Sequence, residues 1–225
     1  MGQAISEVLP FAIGVAISPV PIVAVILMLF SSRARVNGPM FLLGWVGGLA
    51  IATGVLYALA VGGNVGSDSR SSDAASWLRI VLGVLLLLAA VRNWKNRPEP
   101  GSTPQLPKWM AHVDALSPGK ALGLGALLSS VNPKNLMLAV GTAAGLAELD
   151  VSTLDAVVGI VVFVTLASVT IAGPVVWYLV GGEKADKGLA ELKDWLAMNN
   201  AAVMAVLLLV FGVLLISKGV GGLSD

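Results

Sequence analysis

Six apolar runs, at about residues 8–30, 39–62, 77–92, 121–145, 155–180 and 199–217, occupy most of this chain and leave it little choice of fold. A hydrocarbon layer about 30 Å thick needs about 20 apolar residues per helical crossing. Inside that layer the backbone has no water to bond, so each segment must close its own hydrogen bonds. The expectation is an all-α integral membrane protein: one six-helix domain over residues 1–225, joined by loops too short to hold a soluble domain.

Composition narrows the function. The chain is 56% apolar and 12% charged with a mean hydropathy of +0.88, which excludes an ordinary soluble domain. A net charge of +1 offers no basic surface to nucleic acid. Cysteine is absent, so there is no disulfide framework or thiol chemistry. His112 is the only histidine, and the carboxylates Glu7 and Asp155 stand at the ends of their runs. Neither a histidine metal site, a serine–histidine nucleophile nor a carboxylate proton relay can be assembled within the membrane. The chain is therefore expected to be no enzyme and to use no metal or cofactor.

Charge also orients the chain. Alternate loops collect Arg33, Arg35, Arg92, Lys95, Arg97, Lys108, Lys120, Lys184, Lys187 and Lys193 on one side, ten of the 14 basic residues. Arg70, Arg79 and Lys218 fall opposite, and the loop from Leu146 to Ser152 carries Glu148 and Asp150 without a cation. The positive-inside rule then puts both termini outside the cytoplasm. The start lacks the basic flank of a cleaved signal and reads as a retained first helix.

The runs divide into two triplets, residues 1–94 and 118–225, separated by a proline-rich stretch at 95–117. Ser18-Pro19 in the first run matches Asn132-Pro133 in the fourth. Trp77-Leu78 and Gly83-Val84-Leu85-Leu86 echo Trp195-Leu196 and Gly212-Val213-Leu214-Leu215, and the second and fifth runs both close on Val-Gly-Gly. Three crossings enter by one face and leave by the other, so a second copy must be upside down: two inverted three-helix repeats. In the linker, Pro107 followed by Trp109, Met110, Val113 and Leu116 on one helical face predicts a short helix on the cytoplasmic membrane surface. Residues 184–195 read as a similar amphipathic segment through Leu189, Leu192 and Trp195. Gly44-Trp45-Val46-Gly47-Gly48 predicts close helix packing through small residues.

The chemistry concentrates at two interruptions. Pro19 and Pro133 lack an N–H and push the preceding residue away from helix, so the first and fourth helices should each break at midmembrane. Ser18 and Asn132 become candidate N-caps of the second halves. Lys134 lies in an apolar run with no other charge between Ala121 and Ala147. An ionised group there costs about 2.5 to 3.5 kcal/mol, so it needs a partner or a watery path. Half-helix N-termini, the Lys134 ammonium and the Asn132 and Asn135 amides would suit an anion such as a phosphate, sulfate or carboxylate. The candidate substrate-binding set is Lys134, Asn132, Pro133, Asn135, Ser18, Pro19 and Pro21, with Ser129 and Ser130 as further lining. Proline in a membrane helix also makes simple kinks, and a lysine can bond nearby carbonyls or snorkel. Its distance from Lys120, about 20 Å along a helix, argues against snorkelling. Gly173-Pro174, after Thr165, Ser168 and Thr170, is a third hinge or lining segment, or a packing kink.

Ile17-Ser18-Pro19-Val20-Pro21, Pro107-Lys108-Trp109 leading to Leu116-Ser117-Pro118, and Gly123-Leu124-Gly125 through Asn132-Pro133-Lys134-Asn135 together resemble the GAP family. That group contains the glycopeptidolipid- and sulfolipid-addressing proteins, a branch of the LysE-type exporter superfamily. The resemblance covers nearly the whole chain. It implies a bacterial cytoplasmic-membrane protein that exports a cell-envelope glycolipid or similar amphiphile, with membrane lipids and a larger lipid-export machinery as partners. Where many amino-acid exporters of the superfamily carry Pro-Gly-Pro, this chain has Pro19-Val20-Pro21, which argues against an amino-acid substrate. The other readings are a small-molecule exporter for amino acids or ions, and an accessory scaffold for a separate lipid pump. Small-residue helix faces are compatible with a homodimer.

Overall fold

The computed structural model describes residues 1–62, 69–97, 110, 113, 116–149, 151–181 and 183–224. Among them the chain forms α1 (Gly2–Ala16), α2 (Pro19–Leu29), α3 (Ala34–Gly62), α4 (Ser69–Lys95), α5 (Pro118–Ser130), α6 (Pro133–Glu148), α7 (Thr153–Gly181) and α8 (Glu183–Ser224), with no strand. Helix is the form that satisfies the backbone of an apolar segment locally.

Both expected breaks are present. Ser18 is extended at φ −123°, ψ 88° and Pro19 opens α2; Asn132 is extended at φ −59°, ψ 121° and Pro133 opens α6. Each proline occupies the first helical turn, where its missing N–H costs nothing. α1 and α2 meet at a bend of 56°. Pro10, Pro39 and Pro174 lie inside helices that continue past them, so no break forms at Gly173-Pro174.

Four helices are long and apolar enough to cross a membrane, over Ala34–Gly62, Ser76–Lys95, Thr153–Gly181 and Ala185–Leu223, and the bent pair α1–α2 makes a fifth candidate. The chain is thus a multi-pass helical membrane protein. The sixth expected crossing, α5 with α6, is not among these candidates; Ser129, Ser130, Asn132, Lys134 and Asn135 gather polar groups at its break. The amphipathic segment at 184–195 is not a separate element. It forms the start of α8, where Leu189 is buried and Trp195 exposed. The expected surface helix of the linker lies outside the described residues except at Met110, Val113 and Leu116. Met110 and Val113 are buried in the core, and the Leu116 carbonyl accepts a bond from Asn37 Nδ2 at 2.9 Å.

The helices pair as α4 with α8, α3 with α5 and α1 with α7. Lipid tails are as apolar as leucine, so these pairs hold by close contact rather than by a hydrophobic drive. Glycine permits the closeness. A Cβ on Gly44 would overlap the Leu122 carbonyl, one on Gly125 the Phe41 carbonyl, and one on Gly48 would come within 2.7 Å of the Ala126 carbonyl. Across α4 and α8 the contact is reciprocal: a Cβ on Gly83 would lie 2.7 Å from the Gly212 oxygen and one on Gly212 2.9 Å from the Gly83 oxygen. Gly47 has open space instead. α2 is wrapped by these pairs, with Val23, Ala24, Val25 and Ile26 all buried.

Candidate functional site

The break between α1 and α2 leaves the last carbonyls of α1 without helical partners, and such groups must be satisfied when buried. Lys134, from the first turn of α6, supplies two of them. Its Nζ donates to Gly14 O at 2.7 Å, to Ile17 O at 3.0 Å and to Ser18 Oγ at 2.7 Å. Thr170 Oγ1 of α7 donates to Ala16 O at 2.6 Å, and Ser18 Oγ lies 2.6 Å from Val15 O. The C-terminal end of α1, which carries the negative end of its dipole, is thereby fully bonded, and a cation is the favoured group to place there. Lys134 is only 6% exposed, and these three acceptors match its three donors.

The two caps behave differently. Asn132 Oδ1 accepts from Lys134 N at 3.1 Å and caps α6 as its sequence position predicts. Ser18 makes no cap bond to α2. Its single proton goes to Val15 O, the shorter of two contacts, and its oxygen accepts from Lys134. The competing demand of a buried ammonium is stronger than that of an ordinary N-terminal N–H. Asn135 joins the two breaks: its Nδ2 donates to Leu128 O of α5 at 3.1 Å and its Oδ1 faces Ser18 Oγ at 3.3 Å.

Beside this cluster is a cavity of about 180 Å³. Ser18, Pro19, Val20 and Pro21 form one wall, Asn132 and Lys134 a second, and Asn93 of α4 with Asn200 and Met204 of α8 a third. Asn200 Oδ1 is buried without a hydrogen-bond partner. The breaks therefore bring together Lys134, Asn132, Asn135, Ser18, Pro19 and Pro21, with Pro133 fixing the turn of α6. They do not bring in Ser129 and Ser130, whose hydroxyls bond back to Ala126 O, nor Gly173 and Pro174 within α7. Sequence reading missed Asn93, Asn200 and Met204. The two asparagines stand at the polar edges of the third and sixth apolar runs, where an amide reads as interfacial; only the pairing of α4 with α8 turns them inward.

Charged groups occupy the other end of the bundle. Lys218 of α8 pairs with Glu7 of α1, and Arg79 of α4 pairs with Glu148 of α6 at 2.6 Å. At 1.5 Å per residue, Arg79 lies about 21 Å from Asn93 along α4, and Lys218 about 27 Å from Asn200 along α8. Among the described residues, no group of three His, Cys, Asp or Glu could hold a metal.

Fold and site together define a multi-pass helical membrane protein with a buried lysine and a polar cavity at the junction of two broken helices. A family model described as Sap, sulfolipid-1-addressing protein (SfLAP), matches residues 8–221, and the chain belongs to that family. The resemblance read from the proline breaks and the Asn-Pro-Lys segment is thereby borne out. No curated protein and no solved structure matches the chain.

Proposed function

We propose that the protein is an exporter that moves an anionic cell-envelope glycolipid, or a similar amphiphile, across the bacterial cytoplasmic membrane. The observation that carries this reading is Lys134: a cation buried between two broken helices, beside a cavity lined by amides and sized for a headgroup rather than a whole lipid. The family's description names a sulfolipid, whose sulfate is an anion of the kind a lysine and a capped helix N-terminus bind. Binding would be an exchange in which Lys134 turns from the α1 carbonyls to the headgroup.

In this reading α5 and α6 complete a sixth crossing, and residues 1–94 and 118–225 are inverted repeats. The crossed pairing of α3 with α5 and α7 with α1, and the reciprocal contact of Gly83 with Gly212, support it. Both termini face away from the cytoplasm. The paired charges Glu7, Lys218, Arg79 and Glu148 then share the external side, and the cavity opens toward the basic one. Rocking of one repeat against the other exposes the headgroup site alternately. The protein needs no catalytic group, metal or cofactor for this, and works with membrane lipids and a larger export machinery, alone or as a homodimer.

The test is transbilayer movement of a labelled anionic glycolipid in vesicles containing only the purified protein. Wild-type protein is expected to move it and the Lys134→Met variant to fail. Inactivity of the wild-type protein alone would favour an accessory scaffold, and competition by a water-soluble amino acid or ion would favour a small-molecule exporter.

A further inference from the structure

A second cavity of about 550 Å³ lies between α4 and α8, walled by Leu87, Val91, Trp94, Ala205, Val206 and Leu209 among others. Its lining is apolar apart from Lys95 at one end. Neighbouring residues wall both cavities: Asn93 faces the polar one and Trp94 the apolar one on α4, and Met204 and Ala205 do the same on α8. The polar end is marked by cations. Lys95 lines it, and the Arg97 guanidinium stacks 4.4 Å over the Trp94 ring. From Lys95 to Leu87 the groove runs about 12 Å along α4.

We propose that this groove holds the acyl chain of the same anionic amphiphile whose headgroup enters the Lys134 cavity. The inference rests on the proposed function and specifies where the rest of the substrate goes. An apolar wall exposed to lipid gains nothing in hydrophobic energy from one chain over another, because the tails outside are equally apolar. Its contribution is position. A chain held between α4 and α8 keeps its own headgroup at Asn93 and Asn200, so head and tail act as one ligand with a high effective concentration. The open side lets the chain enter from the bilayer without a loop or lid moving aside. Lys95 and Arg97 meet the anion at the entrance, where the local potential favours it.

The experiment uses the full chain in phosphatidylcholine nanodiscs with a photoactivatable lysophosphatidic acid, its diazirine at mid-chain. A monoacylglycerol with the same chain serves as the neutral-head control. The lysophosphatidic acid is expected to label residues 87–94 and 205–209 severalfold more than the control does, while both label the exposed face at Leu85 and Val213 equally. Val206→Trp, which fills the groove from an exposed position, should remove the groove labelling, and Val213→Trp should not. Equal labelling by the two probes in the groove, or labelling unchanged by Val206→Trp, would show bulk lipid there and overturn the inference. Binding of glycerol 3-phosphate to wild-type protein and its loss in Lys134→Met is read separately. Headgroup binding without selective groove labelling removes only the acyl-chain site; no headgroup binding removes the proposed function as well.

Discussion

Lys134 Nζ lies 2.7 Å from the carbonyl oxygen of Gly14, a residue 120 positions earlier, so the start of α6 is bonded directly to the end of α1. That bond joins the two interruptions into one structure. A proline break by itself leaves carbonyls that some other group must satisfy, and here the second broken helix provides the donors for the first.

Removing the lysine should therefore destabilise the fold as well as empty the site. Lys134→Ala leaves Gly14 O and Ile17 O buried without their side-chain donor, at a cost of about 1–3 kcal/mol for each unsatisfied group. We expect unfolding in mixed micelles to shift by about 2–6 kcal/mol. Ser18→Ala should cost less in the Lys134→Ala background than in the wild type, since the two side chains bond each other. Additive losses would show that they act separately.

Asn132 tests the cap. Asn132→Ala should lose about 1 kcal/mol, and Asn132→Asp or Asn132→Ser should retain most of it. The same series at Ser18 should not follow cap preference, because that hydroxyl serves Val15 O and Lys134 instead of α2. Denaturation midpoints of the two series separate the roles.

Glycine contacts predict a graded pattern. Gly83→Leu and Gly125→Val force backbones apart where an added Cβ already overlaps a carbonyl, so losses at or above the usual 1–3 kcal/mol for overpacking are expected. Gly123→Ala and Gly47→Ala meet open space and should be neutral or slightly stabilising through helix propensity. Yield of folded protein after detergent extraction reads out both classes.

Orientation is accessible because the chain has no cysteine. Ser152→Cys and Asn96→Cys are exposed positions at opposite ends of the helices. A membrane-impermeant maleimide added to intact cells should label Ser152→Cys, and should reach Asn96→Cys only after permeabilisation. The reverse pattern would overturn the proposed orientation, with both termini then on the cytoplasmic side.

The sequence made the breaks legible because proline acts locally and a capping residue precedes it: Pro19 and Pro133 disfavour a helical predecessor, and Ser18 and Asn132 leave the helix there, whereas Pro10, Pro39 and Pro174 stay inside theirs. Lys134 stood out for a similar reason, as a charge isolated in an apolar run. What it bonds to could not be read, since Gly14 and Ile17 offer only carbonyls and any buried backbone offers those. Ser18 and Asn132 look equivalent in the chain, yet only Asn132 caps, because Lys134 claims the serine from across the bundle. Asn93 and Asn200 were hidden by their place at the edges of apolar runs. The fourth run is split into α5 and α6 at the same polar residues that made it informative.

The ion pairs Lys218–Glu7 and Arg79–Glu148 fasten α8 to α1 and α6 to α4 at the end remote from the cavity. Parting those helices breaks a Coulomb contact there, whereas at the cavity end it breaks the Lys134 bonds to α1, so each end of the bundle is tied by its own kind of bond. Lys218 is more exposed than Arg79 and Glu148 more exposed than Glu7, so each pair sets one sheltered partner against one more open to solvent, and dissolved salt weakens both. Dissolved salt thus loosens the ties at the charged end and leaves the buried lysine contacts largely untouched.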